Sequence, residues 1–160
     1  MQKQILTILE RDARTSPEKI AVMLGQSEDA IKAAIEEMEK NGIIRHYKTV
    51  VDWEKAGKER VFAFIDVRVT PSRGVGYDEI AGRIYKYPEV HSVYLVSGDY
   101  DLRVVVEGKT MQEVAFFVAE RLAPLEGVLS TRTNFLLKKY KSDGDVFEDT
   151  SEDFRLAVAP

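Results

Sequence analysis

The stretch from Ser16 to Gly42 constrains the fold most. Ser16 is a residue that caps helices, and Pro17 suits a first helical position. Ile20, Ala21 and Leu24 follow on one helical face, and Gly25 stands where a helix ends on a positive φ. Ser27 opens a further helix, with Glu28 and Asp29 in the first turn, where the helix dipole favours acids. Ile31, Ala34, Ile35 and Met38 mark its buried stripe, and Gly42 closes it. An earlier amphipathic segment over residues 2–13 supplies Ile5, Leu6, Ile8 and Leu9. Ala21 is small where two helices must cross closely. Three short helices joined this tightly predict a helix-turn-helix, which presents its third helix to a DNA major groove. The same spacing also fits a small helical bundle that touches no DNA.

Beyond residue 43 the period changes from 3.6 to 2. Residues 43–52 are rich in β-formers (Ile43, Ile44, Tyr47, Thr49, Val50, Val51) and read as a hinge strand, followed by a turn or helical link over 53–57. In 61–70, Val61, Ala63, Ile65, Val67 and Val69 face one way and Asp66 and Arg68 the other, as in a half-buried strand. Residues 71–74 break it. Tyr77, Ile80, Ala81, Ile84 and Tyr85 mark a helix that stops near Pro88. Strands over 90–97 and 100–107 join at Gly98-Asp99. Thr110 and Glu113 form a capping box for a helix that buries Val114, Phe117, Val118 and Leu122. Gly127 precedes a last strand over 128–140. The order is strand, helix, strand, strand, helix, strand. It predicts an α+β fold, a ferredoxin-like βαββαβ sandwich with both helices on one sheet face. Phe62, Phe64 and Leu136 fall on the other face, which favours self-association.

Function classes are narrowed by what is missing. With 0 cysteines there are no disulfides, thiolate metal sites or cysteine nucleophile. No apolar run approaches the roughly 20 residues of a membrane span, and Met1-Gln2-Lys3-Gln4-Ile5 carries no signal-peptide core. A cytoplasmic protein without a membrane association is expected. His46 and His91 fall in different halves, without paired carboxylates or metal spacing, so no catalytic residue, metal or cofactor is assigned. Net charge is -4, which does not advertise nucleic-acid binding. By segment, 1–45 carries net -1, 46–60 net +1, 61–140 zero and 141–160 net -4. The acidic excess equals the charge of the C-terminal tail, and no basic block exists.

Three stretches together resemble the Lrp/AsnC (feast/famine) regulators over about residues 4–142. The first is Ile20-Ala21 through Gly25, Ser27, Ile31 and Ile35 to Glu39-Lys40-Asn41-Gly42-Ile43-Ile44. The second is Val90 and Val93 leading into Gly98-Asp99-Tyr100-Asp101. The third is Leu125-Glu126-Gly127-Val128 with Thr131, Thr133 and Leu137-Lys138. The resemblance implies a winged helix-turn-helix over 1–45, a hinge strand and linker over 46–60, an effector-binding and oligomerising domain over 61–142, and an acidic tail over 143–160. It implies homodimers that assemble into tetramers or octamers, double-stranded DNA as partner, and a small effector, an amino acid in many members. Gly98, Asp99, Tyr100 and Asp101 are then the effector turn, with Thr131 and Thr133 as neighbours. Free turn N–H groups suit a carboxylate and an aspartate suits an ammonium group; the same aspartates also serve plain hairpin geometry. The turn is expected to control ligand response rather than folding.

The resemblance has one departure that bears on function. Family recognition helices usually carry arginines where this chain has Ala34 and Glu37. Residues 28–41 hold Glu28, Asp29, Glu36, Glu37 and Glu39 against Lys32 and Lys40, net -3. Affinity for DNA rests largely on phosphate neutralisation. Ser27, Lys32, Arg45, His46 and Lys48 remain as DNA-binding candidates, or as ordinary solvated surface. The alternative function is an effector-binding oligomer with weak or lost sequence-specific DNA binding. Some chains of this architecture resemble haem-pathway decarboxylases, but nothing here supplies an acid-base pair, and no enzyme is expected. Phe147, Phe154, Leu156 and Val158 give the tail apolar groups that suit docking onto a neighbour.

Overall fold

Ser16 and Ser27 start the two central helices as their residue type dictates. The Ser16 hydroxyl accepts the Lys19 N–H at 3.3 Å, and the Ser27 hydroxyl accepts the Ala30 N–H at 3.3 Å. A computed structural model describes residues 1–70 and 76–147 of the chain. It divides into two compact units, one spanning Met1–Val51 and one that begins at Asp52. The first holds α1 (Gln2–Arg11), α2 (Pro17–Leu24) and α3 (Glu28–Lys40). Ile5, Ile20, Ile31 and Met38 are fully buried and meet around the small Ala21 and Ala34. Each large side chain contributes on the order of 1.5–3 kcal/mol by leaving water. Gly25 takes the left-handed conformation at φ 64°, so α2 can turn into α3 within three residues. Helix α1 stops earlier than its periodicity suggested. Asp12 turns extended, and its carboxylate accepts the Arg14 N–H at 2.9 Å. A local side-chain bond there replaces the next helical turn.

Residues 41–60 carry no strand, so the expected hinge strand is not formed in the single chain. The N–H groups of Ile43 and Ile44 both turn back to the Met38 carbonyl, at 2.9 and 3.1 Å. β-propensity is a preference for a pleated partner surface, and among the described residues no strand pairs with this segment. Residues 53–57 form turns, with Lys55 N–H on the Asp52 carboxylate at 3.1 Å.

The second unit is the expected α+β sandwich. Its elements are β1 (Val61–Val69), α4 (Tyr77–Ile84), β2 (Val90–Leu95), β3 (Leu102–Gly108), α5 (Met111–Phe117) and β4 (Val128–Phe135). The sheet order is β2-β3-β1-β4, antiparallel throughout. Ala63, Ile65 and Val67 pack with Val104 and Val106 beneath Ile80, Ile84, Val114, Phe117 and Leu122. Helix α5 continues as a π-helical turn over Val118–Leu122, where the Ala123 N–H reaches Val118 O at 2.8 Å. Its capping box is shifted. Thr110 accepts the Glu113 N–H, but the Glu113 carboxylate takes the N–H of Lys109 rather than that of Thr110.

The chain's end differs from the sequence reading. The last strand stops at Phe135 rather than running to residue 140. A hairpin follows, β5 (Lys141–Ser142) paired with β6 (Asp145–Val146), turning through Asp143 and Gly144 at positive φ. The Phe147 N–H bonds Tyr140 O at 2.9 Å, and the Lys139 ammonium lies over the Phe62 and Phe147 rings. The folded part therefore crosses the boundary expected at residue 143. The break at 71–74 and the tail residues Phe154, Leu156 and Val158 lie outside the described residues.

Candidate DNA interface and effector turn

In α3 the buried stripe is Ile31, Ala34 and Met38, with Ile35 partly buried. Ala34 is only 5% exposed, so a family-like arginine would not fit there without moving the core. Glu37 is exposed and accepts the Gln2 amide at 3.1 Å. The candidate contacts divide by how free they are. Ser27 is spent as the α3 cap. Lys32 pairs with Glu28 at 2.7 Å, one turn back, and that bond holds its ammonium charged beyond the usual lysine range. Arg45, His46 and Lys48 are exposed on the segment after α3, with no ion pair among the described residues. Between them, Tyr47 reaches back to the Glu39 carboxylate at 2.8 Å, which fixes where this segment leaves the helix.

The turn between β2 and β3 is held from the side by β1. The Arg68 guanidinium donates to the Asp99 carbonyl through Nε at 3.0 Å and Nη2 at 2.7 Å, and lies over the Tyr100 ring. The Asp101 carboxylate accepts the Val69 N–H at 2.9 Å, where β1 shifts register against β4. The Asp101 backbone bonds Val67 O and takes the Val96 N–H. Asp101 is thus a structural member of the turn, at least through one oxygen. The Asp99 carboxylate is exposed, and the N–H groups of Gly98, Asp99 and Tyr100 find no acceptor among the described residues. Gly98 sits at φ 121°, a backbone conformation that L side chains rarely adopt.

Thr131 and Thr133 are not brought to this turn. They pair with Val67 and Ile65 on β4, so their side chains lie on the helix-covered face, while Arg68 points to the open one. Sequence reasoning missed Arg68 as a turn residue. The sequence shows only a long cation on the polar side of an alternating strand; what brings it to the turn is the pairing of β1 with β3. A groove of about 440 Å³ runs beside α5, lined by Glu89, Thr110, Gln112, Phe116, Glu120 and Arg121, and does not include the turn.

The open sheet face carries its own polar row. Asp66 is buried at 7% exposure, takes Arg103 Nε at 2.8 Å and the Asn134 amide at 3.4 Å. That carboxylate holds the Arg103 guanidinium above its ordinary pKa. Phe64 and Tyr94 flank the row and remain exposed.

A helix-turn-helix unit followed by a four-stranded α+β unit with a pinned β2–β3 turn defines a DNA-binding regulator with a separate ligand domain. Comparison with known proteins gives the same class. A family model described as the Lrp/AsnC ligand binding domain matches residues 62–146, and one described as winged helix-turn-helix DNA-binding matches residues 1–45. The HTH-type transcriptional regulator YugG of Bacillus subtilis is 49% identical over 160 residues, covering 99% of this chain and 96% of its own length. FL11, an HTH-type transcriptional regulator of Pyrococcus furiosus, is 32% identical over 88% of this chain and 90% of its own. Among solved structures, Escherichia coli AsnC superposes with a TM-score of 0.71 at 22% identity, over 88% of this chain and 93% of its own. A Neisseria meningitidis transcriptional regulator in complex with L-Met gives 0.73 at 23%, over 88% and 90%. The chain belongs to the Lrp/AsnC family of transcriptional regulators. Among the described residues no helix is long and apolar enough to cross a membrane.

Proposed function

We propose that this regulator senses an amino acid at the turn formed by Gly98, Asp99, Tyr100 and Asp101, and that the occupied turn changes how its assembly holds DNA. One observation carries the reading. Among the described residues three consecutive N–H groups stand unbonded beside an exposed carboxylate, on a turn that Arg68 and Val69 hold in place. Such a nest suits the carboxylate of an amino acid, and Asp99 suits its ammonium group. The solved relative with bound L-Met supports the ligand class. The turn lies on open surface, whereas small-ligand sites bury most of their ligand. A second copy of the chain therefore closes the site.

The open sheet face supports the assembly. Helices cover one face, and Phe62, Phe64, Val105 and Leu136 stand on the other. The acting species is a homodimer or a higher assembly of dimers, working in the cytoplasm where its operator lies. Ser27, Lys32, Arg45, His46 and Lys48 contribute phosphate contacts, and Lys32 must exchange Glu28 for a phosphate. The test is a thermal-shift screen of the full chain against the twenty amino acids. At least one should raise the transition, and Asp99→Ala should abolish the rise without lowering the ligand-free transition. No response to any amino acid, or an undiminished one in Asp99→Ala, would contradict the reading.

A further inference from the structure

The acids of α3 are not equivalent. Glu28 is bonded to Lys32, Glu37 to Gln2 and Glu39 to Tyr47. Asp29 and Glu36 form no hydrogen bond or ion pair among the described residues, and both are exposed. They stand seven residues apart on the stripe opposite Ile31, Ala34 and Met38, with exposed Ala33 between them. That stripe is the one a helix-turn-helix turns toward base edges. A carboxylate in the major groove is repelled by both phosphate rows, so its presence there needs a donor on a base. Cytosine offers its N4 amino group. Adenine offers N6 beside the N7 acceptor, which opposes a second carboxylate oxygen, while guanine and thymine present acceptors at these positions.

We infer that Asp29 and Glu36 are specificity-determining residues, each reading a cytosine, with the small Ala33 leaving room for a base edge between them. The inference rests on α3 entering the groove and adds which bases it selects. Seven residues of helix span about 10.5 Å, or about three base-pair steps at roughly 3.4 Å each. The two cytosines should therefore lie about three steps apart within a half-site. The net -3 of this helix then weakens phosphate attraction and sharpens choice, because base contacts specify and phosphate contacts position.

The test is binding-site selection from random duplex DNA with the full-length protein, its Glu36→Gln variant and its Asp29→Asn variant. Among the described residues neither side chain has a hydrogen bond or ion pair to lose, only the longer-range attraction of Lys32, and both replacements keep its shape. Wild type should fix cytosine at two positions per half-site, favoured over adenine by about 5- to 100-fold. Glutamine and asparagine pair with adenine N6 and N7, so each variant should switch one of those positions from cytosine to adenine. An unchanged motif with affinity raised evenly on all sequences overturns the inference, since it shows the acids acting only as charge. A wild type that enriches no sequence at all overturns it too, and with it operator binding itself; a wild-type motif that the variants leave unmoved spares that broader reading.

Discussion

Asp99 and Asp101 lie on one turn and meet different surroundings. Asp101 accepts the Val69 N–H at the β1 register shift, so removing its carboxylate strands a part-buried donor. Asp101→Ala should lower unfolding free energy by about 1–3 kcal/mol, measured by urea denaturation. The Asp99 side chain makes no hydrogen bond or ion pair among the described residues, and Asp99→Ala should stay within about 0.5 kcal/mol. The sequence expectation that the whole turn serves ligand response rather than folding separates at this scale into one residue of each kind. Tyr47 gives a pH test. Partial burial, then the hydrogen bond to Glu39, raises its phenol pKa above 10.0. A raised folded pKa favours the protonated form, so this contribution is complete below pH 10 and is lost as pH climbs through the folded value. Ultraviolet titration should show one tyrosine ionising late, and Tyr47→Phe should remove that late phase.

At the scale of elements, α3 can be tested by where charge is added. Ala34 is buried in the same core cluster as Ile5 and Ile20, so Ala34→Arg should cost about 3 kcal/mol or more by burying an unpaired charge. Glu37→Arg loses only an exposed bond to Gln2 and should strengthen DNA binding on many sequences alike. Thermal transitions and anisotropy titrations read the two outcomes. How much of each element the sequence revealed follows from how local its cause is. Caps at Ser16 and Ser27 and the alternation of β1 are set within a few residues and stand as read, while Thr110 caps its helix but Glu113 returns its bond to Lys109. The stop of α1 at Arg11 depends on the Asp12 side chain, and the end of β4 on the β5–β6 hairpin, which residue type alone does not announce. Residues 43–52 have strand-forming side chains but no strand paired with them among the described residues, so propensity alone does not make a strand there. The turn itself was legible from Gly98 and the aspartates. Arg68 was not, because its place depends on β1 lying beside β3, a pairing 31 residues apart in sequence at Asp99.

For the whole molecule, the open sheet face and the open turn both call for a second copy. Full-length protein should sediment as a dimer or larger at micromolar concentration, and Phe64→Asp should weaken that association at least about tenfold by placing a charge in the apolar face. A monomeric wild type would end the assembly argument. Multiple copies also answer the acidic α3. Several weak heads on one assembly act at high effective concentration, so operator binding should depend on assembly and fall steeply with salt. The most direct measurement is the affinity of wild type for its own promoter by fluorescence anisotropy. It is taken across a salt series, with and without the amino acid that raises its thermal transition. The account predicts steep salt dependence, a shift in affinity with the amino acid, and loss of both tight binding and response in Phe64→Asp. Tight, salt-insensitive binding by an isolated dimer, unmoved by every amino acid, would contradict it.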